Sequence, residues 1–257
     1  TCQTIQLHDL DGSIVADIME QAMDAGIITM GGGGDFPRNV TCSPLSGVEK
    51  DEYFDVLPWA KAAGEYLMGF IRAEKMPRKL KVAFSSSPSN LSHATYRDLG
   101  FAARPDGSFD VYSAGGLGNN PRFGVLVAEA VKPEDICYYI KAMWLTFRAY
   151  GNYENRGKAR SRYRQESLGG AENYKKAYLE KLEEVYDSGE DLKIHPVLQT
   201  IEKADDGITV SGERVLEQKQ PGLYSVIWHP VGGQPDLTVL CKLSDALQEM
   251  DGVEMRL

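Results

Sequence analysis

The sequence predicts an α+β fold, in which strands and helices occupy separate stretches of the chain. Short runs such as 79–84 alternate polar and apolar residues and suit half-buried strands. Between Ile136 and Phe147, apolar residues recur at three- and four-residue steps, which is typical of an amphipathic helix. The 257 residues are 42% hydrophobic and 25% charged, so the chain can bury the core of one large domain or of two smaller ones.

The individual elements follow from alternation, helical spacing and the positions of glycine and proline. In chain order they are a strand at 3–8, a helix at 14–25, a glycine-rich loop at 31–40 leading into a short strand, a helix at 55–71, strands at 79–84, 109–113 and 123–128, a second glycine-rich loop at 114–120, helices at 136–147 and 171–187, a polar linker at 191–220, a strand at 222–228, a helix at 237–249 and a final strand at 252–257. This order does not suggest a repeated parallel β–α–β fold.

Composition and charge exclude several classes of protein. The chain has 28 Lys and Arg against 37 Asp and Glu, a net charge of −9, so no overall basic field attracts nucleic acid or anionic lipid. No apolar run approaches the roughly 20 residues that a membrane helix needs, and a cytoplasmic protein is expected. The four cysteines are scattered without a CxxC pair, which argues against a disulfide scaffold, a zinc finger or an iron–sulfur cluster built from this chain alone. No metal ligand is predicted.

Cationic residues nevertheless concentrate in short windows. Lys79 and Lys81 lie two apart on a predicted strand, so both ammonium groups point from one face. They form either a solvated strand edge protected by lysines or a clamp for an anion. Arg38 follows four consecutive glycines, where backbone amides can approach a ligand closely. An incidental surface arginine is the alternative for that position.

A second window carries Arg156, Arg160 and Arg164 at four-residue steps. On a helix these three residues would share one face, with Arg162 off that stripe. Such an array is typical either of a solvated or nucleic-acid-facing helix or of guanidinium groups that grip a ligand with several carboxylates or phosphates.

Five stretches of the chain carry a family resemblance. They are 1–8 (TCQTIQLH), 34–44 (GDFPRNVTCSP), 76–81 (MPRKLK), 114–118 (AGGLG) and 155–163 (NRGKARSRY). In their order and separations they resemble the motifs of siroheme-dependent nitrite and sulfite reductases. The resemblance covers nearly the whole chain and implies a six-electron reduction of sulfite to sulfide or of nitrite to ammonia. It further implies a siroheme, a [4Fe–4S] cluster and an electron donor such as ferredoxin or a flavoprotein subunit.

The same resemblance implies site residues and domains. It gives anion binding and proton donation to Arg38, Lys79 and Lys81. It gives contacts with the siroheme to Gln3, Gln6, Asn39, Arg156, Arg160 and Arg162. Ferredoxin-like half-domain segments are expected at 1–45 and 219–257, flanking a larger mixed-sheet siroheme-type α/β module at 46–218. No nucleic-acid or membrane partner is expected.

Three departures from the family pattern limit these expectations. Cys2 stands where the family has an arginine that touches the siroheme, and the C-x5-C and C-x3-C cysteines that hold the cluster are absent. The chain also enters the family's internal repeat partway through. We therefore expect about one repeat of a longer reductase, inactive alone. The alternatives are a non-catalytic tetrapyrrole- or anion-binding module that has lost the cluster half, and a relative that acts on a corrinoid precursor.

Overall fold

A five-stranded mixed sheet forms the centre of the chain in the computed structural model, which describes residues 3–71, 73–198 and 207–257. Its strands, in sheet order, are β1 (Thr41–Cys42), β2 (Val82–Ser85), β3 (Leu99–Ala103), β4 (Phe109–Ser113) and β5 (Val125–Val131). The first three strands are parallel, whereas β3, β4 and β5 pair antiparallel. Half of the sheet is therefore a parallel unit and the other half a meander.

Helices connect the strands and cover the core. In chain order they are α2 (Leu57–Met68), which links β1 to β2, α3 (Ile136–Tyr150), the short α4 (Tyr163–Ser167) and α5 (Ala171–Asp187), which packs on α3 and β5. The rings of Phe84 and Phe101 stack with centroids 4.7 Å apart, and Phe109 meets both edge-on. Because all three side chains are fully buried, they fix the central strands that carry the site.

The terminal segments lie outside this core. They are α1 (Val15–Asp24), the hairpin of β6 (Val215–Glu217) and β7 (Tyr224–Val226), and α6 (Leu237–Gln248). Neither α1 nor α6 has a buried residue. In the described part of the chain, no helix has the length and apolar character needed to cross a membrane.

Hydrogen bonds attach the N-terminal segment to β1 and the C-terminal segment to the loop that follows β1. The Gln3 side chain accepts from the Cys42 amide and donates to the Cys42 carbonyl oxygen, each at 2.8 Å. The Lys219 amide donates to the Val48 carbonyl oxygen at 2.9 Å, and the Arg256 guanidinium donates to backbone carbonyl oxygens in the same loop.

The mixed α/β architecture with a mixed sheet is confirmed, and the predicted long helices lie close to their predicted bounds. Two predicted strands are wrong, because residues 3–8 and 252–257 pair with no strand. The predicted strand at 222–228 shortens to β7. β3 was not predicted, since four of its five residues are buried and the sequence shows no alternation there. The predicted linker contains β6, and part of it lies outside the described residues. Cys2 also lies outside them.

Candidate functional site

Lys79 and Lys81 lie on the chain that leads into β2. Leu80, between them, is fully buried, whereas both lysines are partly exposed. Leu80 pairs with Pro37 in a parallel bridge, and the Arg38 amide donates to the Leu80 carbonyl oxygen at 2.9 Å. The structure therefore brings Arg38 beside the two lysines.

The cations of this region are close enough to repel one another. Burial lowers the pKa of the Lys79 ammonium, and the positive charges of Lys81, Arg160, Arg38 and Arg78 lower it further. Burial also lowers the pKa of Arg38, and Arg78 and Arg160 add to that effect. We call these five residues the cationic cluster. A bound anion would relieve the repulsion within it.

The first glycine-rich loop holds the guanidinium of Arg38. Its Nε and Nη2 donate to the Gly34 carbonyl oxygen at 3.2 and 2.8 Å, and its Nη1 donates to the Gly32 carbonyl oxygen. Gly34 has a φ of 80°, in the left-handed region that glycine adopts without strain. The sequence suggested loop amides directed at a ligand, whereas the structure shows loop carbonyls that orient Arg38.

Asp35 joins two arginines from different parts of the chain. Its Oδ1 accepts from Arg78 Nη1 at 3.1 Å, and its two oxygens accept from Arg156 at 2.5 and 3.2 Å. The hydrogen bond from Arg156 is the main reason that the pKa of Asp35 lies below its ordinary value, with a further contribution from Arg78. Asp35 therefore ties the segment around Arg156 to the rim of the cationic cluster.

The Asp35 ion pairs predict a pH dependence of stability. A carboxyl whose pKa is lower in the folded state stabilises the fold above about pH 4 and loses that effect as the pH falls through the folded-state pKa. We expect Asp35→Asn to lower the melting temperature at pH 7 and to converge with the parent protein as the pH falls through the lowered folded-state pKa of Asp35. Thermal unfolding at several pH values measures this, with the exposed Asp51→Asn as control. A difference that does not shrink on acidification would contradict the assignment.

Asp98 occupies the centre of the site, between the lysine strand and the second arginine window. Its side chain is fully buried. Its carboxylate accepts from the Lys81 amide at 2.9 Å, from Arg160 Nη2 at 2.9 and 3.1 Å, and from the Ser161 hydroxyl. Three donors from two distant segments thus converge on one carboxylate.

The second arginine window does not form the predicted single helix face. Arg156–Lys158 make one 3-10 turn, and α4 begins only after a further bend. Arg160 turns to Asp98, whereas Arg164 donates to the carbonyl oxygen of Tyr150, at the end of α3, at 2.6 Å. Because acceptors in different places attract the three guanidinium groups, only Arg156 and Arg160 of that stripe contribute to this site.

Arg162 lies under the second glycine-rich loop. It is 8% exposed, its guanidinium carbon lies 4.9 Å from the centre of the Tyr163 ring, and its Nε has no hydrogen-bond partner among the described residues. A Cβ added at Gly118 would lie 3.3 Å from Arg162 Nη2, so the absence of a side chain lets the loop approach the guanidinium. A buried guanidinium with an unused donor suits an anionic ligand.

The same loop is closed at its base. Gly116 and Arg122 exchange two backbone hydrogen bonds of 2.9 Å. The Gln165 side-chain amide donates to the Ala114 carbonyl oxygen at 2.9 Å and to the Phe123 carbonyl oxygen at 2.8 Å. The loop ends are therefore fixed, while Leu117 at the tip is 62% exposed.

A cleft of about 170 Å³ opens between the cationic cluster and this loop. It is lined by Lys81, Tyr96, Arg97, Asp98, Gly116, Leu117 and Arg160. Three cations against one carboxylate give its wall a net positive charge, which suits a small anion or an anionic part of a larger ligand.

The remaining predicted site residues lie at the edge of this region. The Asn39 side chain donates to the Gln3 carbonyl oxygen at 3.3 Å, and Gln3 binds the backbone of Cys42. Gln6 is exposed in an extended segment. Gln3 and Asn39 are thus connected to β1, whereas Gln6 stands apart from them.

Sequence reasoning missed Asp35, Asp98 and Gln165. Each is a polar residue whose role depends on partners 17 or more positions away in sequence. The available signal for Asp98 was a charged residue immediately before an apolar run, but nothing in that pattern shows that the carboxylate is buried.

The described residues offer no cluster of metal ligands. In residues 3–71, 73–198 and 207–257, no group of three or more His, Cys, Asp or Glu side chains is placed to hold a metal ion. Burial raises the pKa of Cys42 to about 11 and that of Cys137 to about 12, so both thiols stay protonated near neutral pH. These residues do not fit an iron–sulfur cluster.

Comparisons with known proteins agree on one family. A family model described as the nitrite and sulphite reductase 4Fe-4S domain matches residues 33–185. The sulfite reductase [NADPH] hemoprotein beta-component of Thiocapsa roseopersicina is 32% identical over 66% of this chain. The assimilatory ferredoxin-dependent nitrite reductase of Haloferax mediterranei is 28% identical over 75% of it. Among solved structures, the Mycobacterium tuberculosis NirA protein matches 93% of the chain with a TM-score of 0.70 and 25% identity.

The relatives are considerably longer than this chain. The matched region is 36% of the Thiocapsa protein, 35% of the Haloferax protein and 42% of the NirA chain. The chain thus spans less than half the length of the relatives it matches.

Proposed function

The chain belongs to the nitrite and sulphite reductase family, and we propose that it supplies the cationic wall of an active site that reduces sulfite or nitrite. The observation that carries this proposal is the cationic cluster, in which Lys79 has a lowered pKa next to Lys81 and Arg38. A small oxyanion satisfies such a cluster, and a lysine whose pKa is lowered gives up its proton more readily than an exposed lysine.

Arg38 binds the oxyanion in this proposal. Its guanidinium is oriented by two carbonyl oxygens of the glycine loop, so it loses little conformational freedom when the anion arrives. Lys79 and Lys81 donate protons to the oxygens that leave as water, and their positive charges stabilise negative charge as it develops on those oxygens. Reduction to sulfide or to ammonia needs several protons, which a pair of lysines fed from solvent can provide.

The residues present also fit a siroheme, whose many carboxylates need cationic partners. Arg156, Arg160 and Arg162 would hold those carboxylates, and the unpartnered Nε of Arg162 under the glycine loop supports this role. Gln3, Gln6 and Asn39 would contact the same group, and the exposed side chain of Gln6 is open to a ligand. When bound, siroheme supplies the electrons and the site at which the oxyanion attaches.

A [4Fe–4S] cluster does not fit the described residues, and no step is assigned to it within this chain. We propose that cysteines outside this chain hold the cluster and that the chain corresponds to one repeat of a longer enzyme. Its parts would be half-domain segments at 1–45 and 219–257 around a siroheme-type module at 46–218. The attachment of Gln3 to β1 and of Arg256 to the loop directly after β1 supports a pairing of the two terminal segments, as does the hydrogen bond from the Gln3 side chain to the Leu257 carbonyl oxygen.

The electron donor in this proposal is a ferredoxin or a flavoprotein, and the location is the cytoplasm, where reduced donors are available. Relatives that are named for ferredoxin or for NADPH support either donor.

The proposal is tested on the complete polypeptide that carries this chain. We expect an absorption spectrum with siroheme bands and steady-state reduction of sulfite or nitrite with a reduced donor. Rates with each oxyanion identify the substrate. Siroheme bands without turnover would instead support the alternative, a non-catalytic tetrapyrrole-binding module. A protein that binds neither siroheme nor oxyanion would contradict both.

A further inference from the structure

We propose that Asp98 is a positioning residue, which fixes the Lys81 backbone and the Arg160 guanidinium in the arrangement that binds the anion. The inference rests on the proposed function of the cationic cluster and assigns a role to a carboxylate within it. A negative charge inside an anion-binding site by itself weakens anion binding. The presence of Asp98 there therefore requires a structural reason.

The burial of Asp98 requires the hydrogen bonds that it makes. An ionised carboxylate removed from water is strongly destabilised unless donors replace the lost hydration. The backbone amide of Lys81, the guanidinium of Arg160 and the hydroxyl of Ser161 supply those donors. Each of these hydrogen bonds also fixes the position of its donor relative to the Asp98 carboxylate. The amide of Lys81 is fixed directly, so the start of its side chain is fixed as well.

The main chain of Asp98 extends this arrangement to the second glycine-rich loop. Its carbonyl oxygen accepts from the Ala114 amide at 2.8 Å, and the neighbouring Arg97 carbonyl oxygen accepts from the Gly115 amide at 2.8 Å. One residue therefore connects the lysine strand, the arginine window and the loop above Arg162. All three border the cleft beside the cationic cluster.

Asp98→Asn separates a positioning role from a purely electrostatic one, because the two roles predict opposite signs. Loss of a negative charge beside the cleft would by itself strengthen anion binding. Loss of position would weaken it, because Arg160 Nη2 contacts both oxygens of Asp98, so the new amide NH₂ would face that donor in either orientation. Changes of this kind behind binding residues commonly cost 10- to 100-fold in affinity. We therefore expect the dissociation constant of sulfite or nitrite to rise about tenfold or more.

The experiment uses the complete polypeptide with siroheme bound and follows anion binding by the change in its absorption spectrum, independently of turnover. Asp110→Asn is the matched control, because Asp110 also accepts from an arginine, Arg104, at 2.8 Å, but is absent from the cleft lining. A double-mutant cycle with Arg160→Gln should be strongly non-additive, since both single changes break the same contact. Unchanged or tighter anion binding in Asp98→Asn would overturn the inference.

A second variant tests the inference if Asp98→Asn fails to fold. Arg160→Lys keeps the positive charge, but the lysine side chain ends one atom before the position of Nη2, the single atom that donates to both oxygens of Asp98. It should weaken anion binding about tenfold in a folded protein, and unchanged binding would again overturn the inference. If the parent protein itself binds no oxyanion, the proposed function fails rather than the role of Asp98.

Discussion

Lys79→Met in the complete polypeptide is expected to lower the rate of oxyanion reduction by about a hundredfold or more, the size of a lost general acid. The structural reason is that Lys79 is the cation whose pKa is lowered both by burial and by four neighbouring positive charges. The free energy of unfolding of the variant should not fall, because the substitution removes a partly buried positive charge from among other positive charges. Steady-state kinetics and thermal unfolding on the same preparation measure both effects.

Lys176→Met is the control, since Lys176 is exposed on α5. A parent-like rate in Lys79→Met would contradict the proton-donor role.

Lys81→Met is expected to lower the rate as well, and it also changes the pH dependence of the rate. Because Lys81 is a positive neighbour, its removal raises the pKa of Lys79. The alkaline limb of the pH–rate profile should therefore move to higher pH, and a limb that stays in place would assign that titration to another group.

Gly100→Ala is expected to destabilise the fold by several kcal/mol, the largest effect on stability that the structure predicts. A Cβ at this position would lie 1.8 Å from the Ala94 carbonyl oxygen and 2.5 Å from its carbonyl carbon. The strand cannot shift away, because β3 is paired on both sides, with Ala83 and Tyr112 opposite Gly100. Chemical denaturation measures the free energy of unfolding.

Gly64→Ala is the matched control for that substitution. Gly64 lies inside α2, where the nearest atom to an added Cβ is 3.9 Å away. Alanine should stabilise a helix at such a position by about 0.5–1 kcal/mol. Equal stability of Gly100→Ala and the parent would contradict the prediction. It would show that the 3-10 turn at Ala94–Tyr96 can move away from β3 at no cost in free energy.

The long helices could be predicted from the sequence because their apolar residues recur at the helical period and a single stripe faces the core. β3 could not, because burial on both faces removes the alternation from its sequence. For the site, the spacing of Lys79 and Lys81 predicted a shared side, and in the structure the two half-buried lysines flank the buried Leu80 just before β2. Whether such a pair binds an anion depends on the other charged groups around it. The sequence does not show that Arg160, about 80 positions away, lies close to the two lysines.

The second arginine window shows the limit most clearly. Four-residue spacing predicts a helical stripe, yet the local period is overridden by two distant acceptors, the buried Asp98 carboxylate and the half-buried Tyr150 carbonyl oxygen, which attract Arg160 and Arg164 to different places. Tertiary hydrogen bonds with charged donors outweigh the small intrinsic preference of a short helix. The family resemblance implies roles for Arg156, Arg160 and Arg162, but it does not indicate the carboxylates of Asp35 and Asp98 that orient two of them.

The closed base of the second glycine-rich loop has an evolutionary consequence. Gln165 and the backbone pair of Gly116 and Arg122 hold both ends of the loop independently of residues 117–121. The cost of lengthening such a loop grows only slowly with its length. Substitutions, deletions and insertions at residues 117–121 can therefore accumulate during evolution and change the shape of the opening beside Arg162. They would not disturb the sheet that positions the cationic cluster.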